Sequence, residues 1–376
     1  MSKISIELVK TRGQLKTFLR FPFEIYRDDP NWVPHLMMER KQFFDPNKNP
    51  FFQHAQVEHY LAYKNDALAG RISAIINHNH NLFHQDKTGF FGFFECIDDI
   101  EVATELFDTA ADFLRSHKRD TMRGPCNFST NDEIGFLVKG YGEPPTIMNT
   151  YTPPYYLELA EKYGMRKAMD TYGYYLDESI EIPERNLKLA ERIRKREELT
   201  IRTIRMKELN AEVERVKKIY NQAWEKNWGF VPLTDAEIDY LAEDFKLVLD
   251  PNIVFFAELN GEPIGFALAL PDINQILRKL NGKLLPFGIF KLLYYKKIRR
   301  IIDGIRVIIL GVLPEYQGRG IDNLLYLEVI NEGLSHGYKW AELGWILETN
   351  HKMNRALDSL GAKVFRIYRI YDYPLK

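Results

Sequence analysis

Apolar and polar positions along this chain change their period in a fixed order, and that order occurs twice. An opening strand pattern (Ile4–Val9, then Leu199–Ile204) runs into a helical one (about 13–27, then about 206–224). A hairpin follows: V-E-H-Y-L-A-Y-K-N-D-A-L-A-G-R-I-S-A in the first half is answered by I-V-F-F-A-E-L-N-G-E-P-I-G-F-A-L-A in the second. A third strand (Phe90–Glu95, Val307–Leu313) leads to a helix (about 99–117, about 321–336) and another strand. A helix ending in glycine and a last strand close each half, in Y-L-E-L-A-E-K-Y-G-M-R-K and N-R-A-L-D-S-L-G-A-K-V. This mixture predicts an α/β (α+β) protein of two domains.

The residues themselves repeat at a nearly constant offset. Ile25-Tyr26 recurs as Ile219-Tyr220 (194 residues on), Asn31-Trp32 as Asn227-Trp228 (196) and Val33-Pro34 as Val231-Pro232 (198). Gly70 maps to Gly265 (195) and Gly164 to Gly361 (197). A repeat this long means duplicated domains, because a solenoid repeats every ~20–50 residues. The expected bounds are 1–177, a charged connector over 178–198, and 199–376 with an insertion over 273–303.

Composition narrows the class. The 376 residues are 45% apolar and 27% charged, as in globular proteins. Aromatics reach 13%, enough to line a long apolar cleft, although such rings more often fill cores. A net charge of −1 gives no global pull toward nucleic acid, so none is favoured as a partner. Cys96 and Cys126 form neither a disulfide framework nor a metal pattern and read as buried thiols of a reducing compartment. The N-terminus lacks an apolar signal core and no apolar run approaches bilayer length, which points to the cytoplasm.

The sharpest local signal is Arg306–Asp322, R-V-I-I-L-G-V-L-P-E-Y-Q-G-R-G-I-D. A buried strand stops at Pro314, a glycine-bearing turn follows, and an amphipathic run starts at Ile321. Unpaired amides at a helix start, with glycines that allow close approach, make a diphosphate cradle. The alternative is a strand–turn–helix joint without a ligand.

This arrangement resembles the Q/R-x-x-G-x-G/A signature of the GNAT acyltransferases, and the doubled plan resembles tandem GNAT proteins. N-myristoyltransferase and the Fem-type aminoacyltransferases share that plan. The fold then expected is two GNAT-like domains, each with a mixed, mostly antiparallel sheet flanked by helices. By resemblance, Gln317, Gly318, Arg319, Gly320, Ile321 and Asp322 would hold the diphosphate of acyl-coenzyme A. An amide from the Leu310, Val312, Leu313 stretch would polarise its carbonyl. Asn350 matches the family's motif asparagine, but the tyrosine expected seven residues later is Leu357. Asp322 also departs, since a carboxylate beside a diphosphate repels it. In the first half the matching turn is E-C-I-D-D-I-E, acidic and free of glycine, so no phosphate is expected there.

The first half carries a second cluster, G-P-C-N-F-S-T-N-D-E-I-G-F-L-V-K-G-Y (124–141), which with the run through Tyr172 resembles an uncharacterised bacterial family of tandem GNAT-like proteins. Asn127, Ser129 and Asn131, with Tyr155 and with Trp228 from the second half, form a candidate acceptor site. Asp132 or Glu133 would act as general base if burial raises its pKa, and Tyr151 joins them and Asn350 as catalytic candidates. The competing reading is a turn network. His78, His80 and His84 are read as a solvated hairpin loop rather than a metal site, and no metal is expected. The insertion carries eight Lys and Arg and no acid between Asp272 and Asp303. It reads as a membrane-surface contact, an acyl-chain cover, a steering patch for phosphates, or an ordinary amphipathic helix pair.

The leading reading is transfer of an acyl group from acyl-coenzyme A to an amine on a small-molecule or lipid acceptor, held by the first half and the groove between halves. A Fem-like transferase using charged tRNA, or a non-catalytic binding module, are the alternatives. The insertion is the candidate for peripheral contact at the inner membrane face.

Overall fold

The computed structural model describes residues 3–197, 199–284 and 288–376. Glu198, which ends the expected connector, and 285–287, inside the insertion, lie outside the described residues. The chain forms two compact units: Met1–Thr171 with Leu277–Leu292 and Ile367–Lys376, and Tyr172–Ile276 with Leu293–Arg366. The architecture is mixed α/β, with mostly antiparallel sheet flanked by helices.

In the first unit, β1 (Ile4–Leu8), β2 (Ala55–Lys64), β3 (Ala67–Asn77), β4 (Thr88–Cys96) and β5 (Thr121–Gly124) lie in that order. The end of the chain then pairs with β5 (Tyr371↔Gly124 to Pro374↔Thr121) and with β6 (Phe136–Lys139). The β2–β3 hairpin turns at Asn65-Asp66, both at positive φ, the geometry that matches strand twist. The Ile100–Ser116 helix buries Val102, Leu106, Phe107, Ala110 and Leu114 at helical spacing against the sheet. Residues 78–84, read from sequence as a loop, form a short helix instead. Asn77 caps it, His80 is fully buried against Asp86, and no cluster that could hold a metal occurs among the described residues.

In the second unit, β7 (Arg166–Asp177, from Tyr172), β12, β11, β10, β9 and β8 stand in that order, where β8 is Leu199–Thr203, β9 Val254–Leu259 and β10 Glu262–Pro271. The remaining strands are β11 (Gly304–Val312), β12 (Trp340–Leu347) and β13 (Lys363–Pro374), whose last residues belong to the first unit. The Ile321–Ser335 helix buries Ile321, Leu324, Leu325, Leu327 and Val329 against the sheet.

Gly92 tests the first unit's packing. A Cβ there would sit 1.9 Å from the Cys126 carbonyl oxygen, a backbone atom that cannot rotate away. Gly92→Ala is expected to destabilise the first unit by about 2 kcal/mol or more, read as a drop of about 5 °C or more in its thermal midpoint.

Candidate functional site

The second unit opens between its parallel strands. β11 and β12 pair only from Gly304↔Trp340 to Val307↔Leu343, although both continue beyond. The parting begins at a bulge: Leu268 faces Ile309 and Ala269 faces Val307, so Ile308 has no partner on β10. Ile308, Ile309 and Leu310 become half-exposed there. The Leu313 amide donates to the Ile264 carbonyl at 2.8 Å. Antiparallel alternation then turns the Gly311 and Ile309 amides to β10, and those of Leu310 and Val312 toward the side β12 has left. On that side, the Arg306 Nε donates to the Gly344 carbonyl at 3.1 Å, where β12 adopts φ +98. Arg306 is buried, as are Glu342 and Arg366, which pair at 3.4 Å.

The turn after β11 presents a second set of donors. Gly318 and Gly320 take left-handed backbone (φ +77 and +84), and Gly320 is the N-cap of the Ile321–Ser335 helix with no side-chain cap. The amides of Gly318, Gly320 and Ile321 donate to no acceptor among the described residues. Gln317 braces the turn by donating from Nε2 to the Val312 carbonyl at 3.0 Å and, more weakly, to that of Ala223. Arg319 lies over the Tyr316 ring and donates to the Glu315 carbonyl, while Asp322 sits half-buried in the first helical turn. The Trp224 indole lies where a Cβ on Gly311 would be, which walls the end of β11.

The first unit has the same two features, both closed. Its parallel pair β4–β5 also ends its regular pairing at Phe90↔Arg123, beside a bulge opposite Ile72, but the chain that follows stays against β4, with the Cys126 amide donating to the Phe91 carbonyl at 2.8 Å. There the freed Phe93 amide is taken by Asn127 Oδ1 at 2.7 Å. The equivalent helix start is capped by Asp99, whose Oδ1 accepts from Glu101 and Val102 amides at 3.0 and 3.2 Å. Lys64 pairs with that same carboxylate.

Residues 213–362 match the acetyltransferase (GNAT) family. The chain is 36% identical over 380 aligned positions to the bacterial ceramide synthase of Caulobacter vibrioides, spanning 99% of this chain and 98% of that one. It is 34% identical to protein YghO of Escherichia coli, over 97% and 95% of the two chains. This chain belongs to the GNAT family. Among solved structures, a tandem GNAT protein of the clavulanic acid pathway superposes over 100% of this chain and 99% of its own, with a TM-score of 0.57 at 11% identity. A GNAT protein from Sphaerobacter thermophilus gives 0.52 at 13% identity, over 99% and 96%. At such identities the likeness is one of fold.

GNAT proteins generally use acetyl- or acyl-coenzyme A, and this chain's second unit fits that group: uncapped amides at an exposed glycine turn suit a diphosphate, and an open strand edge lies beside them. Asn350 caps the His351–Ser359 helix, accepting the Met353 amide at 3.2 Å. Leu357 is fully buried in the core. One turn earlier on that helix, Asn354 Oδ1 accepts the Tyr174 hydroxyl at 3.1 Å, and burial raises the Tyr174 pKa to about 12. Trp228 is half-buried in the turn after the Leu209–Ala223 helix. Neither Trp224 nor Tyr174 stood out from the sequence. Arg306 did carry a signal, as a charge inside an apolar strand.

The polar cluster of the first unit is assembled, and it is locked. Asn127 Nδ2 donates to Glu133 Oε2 at 2.9 Å, and Arg40 to Glu133 Oε1 at 2.7 Å, while Arg40 also meets His35 Nδ1 at 2.8 Å. Burial would raise the Glu133 carboxyl, but Arg40, His35 and Asn127 together hold it down at about 2. The raised pKa that a general base there requires is therefore not met at Glu133. Ser129 donates its amide and hydroxyl to Asp132, and the Asn131 amide donates to Ser129 Oγ, a local turn network. The Tyr151 hydroxyl is bound to Asp29, and that of Tyr155 to the Cys96 carbonyl.

Glu133 yields a pH test. Its folded pKa lies below the ordinary 4.5, so its contribution is whole above about pH 5 and is lost as pH falls through about 2. Glu133→Gln is expected to destabilise by about 2–3 kcal/mol at pH 7, and the gap to wild type should narrow steadily toward pH 3 in urea titrations.

Proposed function

We propose that this protein is an acyl-coenzyme A-dependent N-acyltransferase whose acceptor is a long-chain amine. The observation that carries the reading is the contrast between its two equivalent helix starts: Asp99 fills one, and Gly320 leaves the other open. The long-chain acceptor is supported by full-length similarity to a protein named bacterial ceramide synthase.

Acyl-coenzyme A supplies a thioester carbonyl activated toward amines. The amides of Gly318, Gly320 and Ile321 would hold its diphosphate, aided by the positive end of the helix dipole. The amides of Leu310 and Val312, on the open edge of β11, would hold the carbonyl oxygen and stabilise the charge that gathers on it as the amine attacks. In place of the tyrosine missing at Leu357, Tyr174 on β7 brings a protonated hydroxyl to Asn354, one turn before Leu357 on the His351–Ser359 helix, and we assign it the return of a proton to the departing thiolate.

Three experiments follow. Acyl-coenzyme A should raise the thermal midpoint of the wild-type protein, and Gly320→Val should abolish that shift, because a β-branched residue is strained at φ +84 and the turn that presents the Gly318, Gly320 and Ile321 amides must shift. Asp322→Asn should tighten coenzyme A binding by about three- to tenfold in calorimetry, since it removes a like charge from the cradle. Thiol release should require a long-chain amine, and Tyr174→Phe should lower kcat by about tenfold or more with coenzyme A affinity unchanged. Binding without thiol release for any amine tried would leave a ligand-binding module and end the catalytic reading.

A further inference from the structure

The insertion ends in a continuous helical run, an α-helix over Gly288–Leu293 followed at once by a π-helix over Tyr294–Arg299. Phe290, Leu293, Tyr294 and Ile298 recur at i, i+3, i+4 and i+8, the spacing of one helix face. These side chains face solvent: Phe290 is 67% exposed, Leu293 45%, Tyr294 43% and Ile298 72%. Elsewhere among the described residues the exposed large apolar side chains are scattered singly or in pairs, which is ordinary for a protein surface. Four within nine residues of one helix are a patch, and such patches mark contact with an apolar phase or a partner.

The charges beside the patch decide which. Lys291, Arg299 and Arg300 are exposed along the same run, and the chain has no acid between Asp272 and Asp303. The rest of the protein balances this, since the net charge of the whole is only −1. An interface with a second copy of this basic segment would bring like charges together. A surface that takes up large apolar side chains to a shallow depth while neutralising a row of cations is the headgroup region of an anionic bilayer. Tyr294 suits that boundary, with an apolar ring and a polar tip.

We propose that the Gly288–Arg299 helical run docks the protein on an anionic lipid bilayer, with Phe290, Leu293, Tyr294 and Ile298 inserted among the headgroups and Lys291, Arg299 and Arg300 against the lipid phosphates. No described helix is long and apolar enough to cross a membrane, so this contact lies in the plane of the surface. The proposal stands on this surface alone and does not depend on the acyl-transfer reading.

The test is sedimentation of the full-length protein with vesicles of phosphatidylcholine alone or mixed with phosphatidylglycerol. Binding is expected to the mixed vesicles and to be weakened by about tenfold or more in Phe290→Asp/Ile298→Asp and in Arg299→Glu/Arg300→Glu. Thermal midpoints should be unchanged, since each altered side chain is in solvent. High salt should weaken the wild type toward its affinity for neutral vesicles. No binding to either vesicle, or binding that both double variants retain, overturns the proposal. Binding to polyuridylate RNA in place of vesicles assigns the patch to nucleic acid and overturns it too. So does a dimer in sedimentation velocity that Phe290→Asp/Ile298→Asp dissociates, because the patch is then covered by a second copy.

Discussion

The first amides of a helix have no partner within the helix, and every helix start must find them one or leave them for a ligand. This chain meets that constraint in opposite ways at two equivalent places. In the first unit the Ile100–Ser116 helix spends them on its own Asp99, and Lys64 neutralises the carboxylate that does so. In the second unit the Ile321–Ser335 helix begins at Gly320, which has no side chain to offer, and the Gly320 and Ile321 amides have no acceptor among the described residues. The difference follows from one residue type at the cap: a carboxylate is itself the anion that the helix dipole favours, and a glycine leaves the place for another.

The same economy governs the parted strands. A bulge frees backbone amides on β4 and on β11, and a freed amide inside a protein seeks an acceptor. On β4 it finds Asn127, which Glu133 and Arg40 hold in place, so the Asn127–Glu133 segment closes an opening as much as it forms a site. On β11 the Leu310 and Val312 amides turn toward the gap, and the buried Arg306 ties the Gly344 carbonyl on its far side. A buried guanidinium needs its donors satisfied, so this bond and the shape of the gap support each other. The duplicated halves thus keep one plan, and among the described residues the first pairs the amides that the second leaves without an acceptor.

Charges in the first unit follow the logic of burial. Glu133 is not poised for proton transfer, because Arg40 and two further groups stabilise its ionised form more strongly than burial opposes it. Glu95 shows the other balance: burial raises its pKa despite hydrogen bonds from Tyr26 and Tyr156 and the nearby Arg71. Two carboxylates in one sheet-and-loop framework shift in opposite directions, Glu133 under its partners and Glu95 under burial, and neither partner set could be assigned from positions along the chain.

The sequence alone determined what depends on neighbours in the chain. The period of its apolar residues set the strands and helices, the residue-for-residue offset set the duplication, and Gly318 with Gly320 set a turn of left-handed backbone. Those are local properties, since a side chain's direction and a glycine's φ are decided within a few residues. Tertiary structure decided what each polar group meets. It turned residues 78–84 from a loop into a helix around the buried His80, made Asn350 a cap, took up the Leu313 amide, and placed Tyr174 beside Asn354, 180 residues away in the chain. Hydrogen bonds and burial are settled by which elements the fold brings together, and no spacing along one strand or helix encodes that choice.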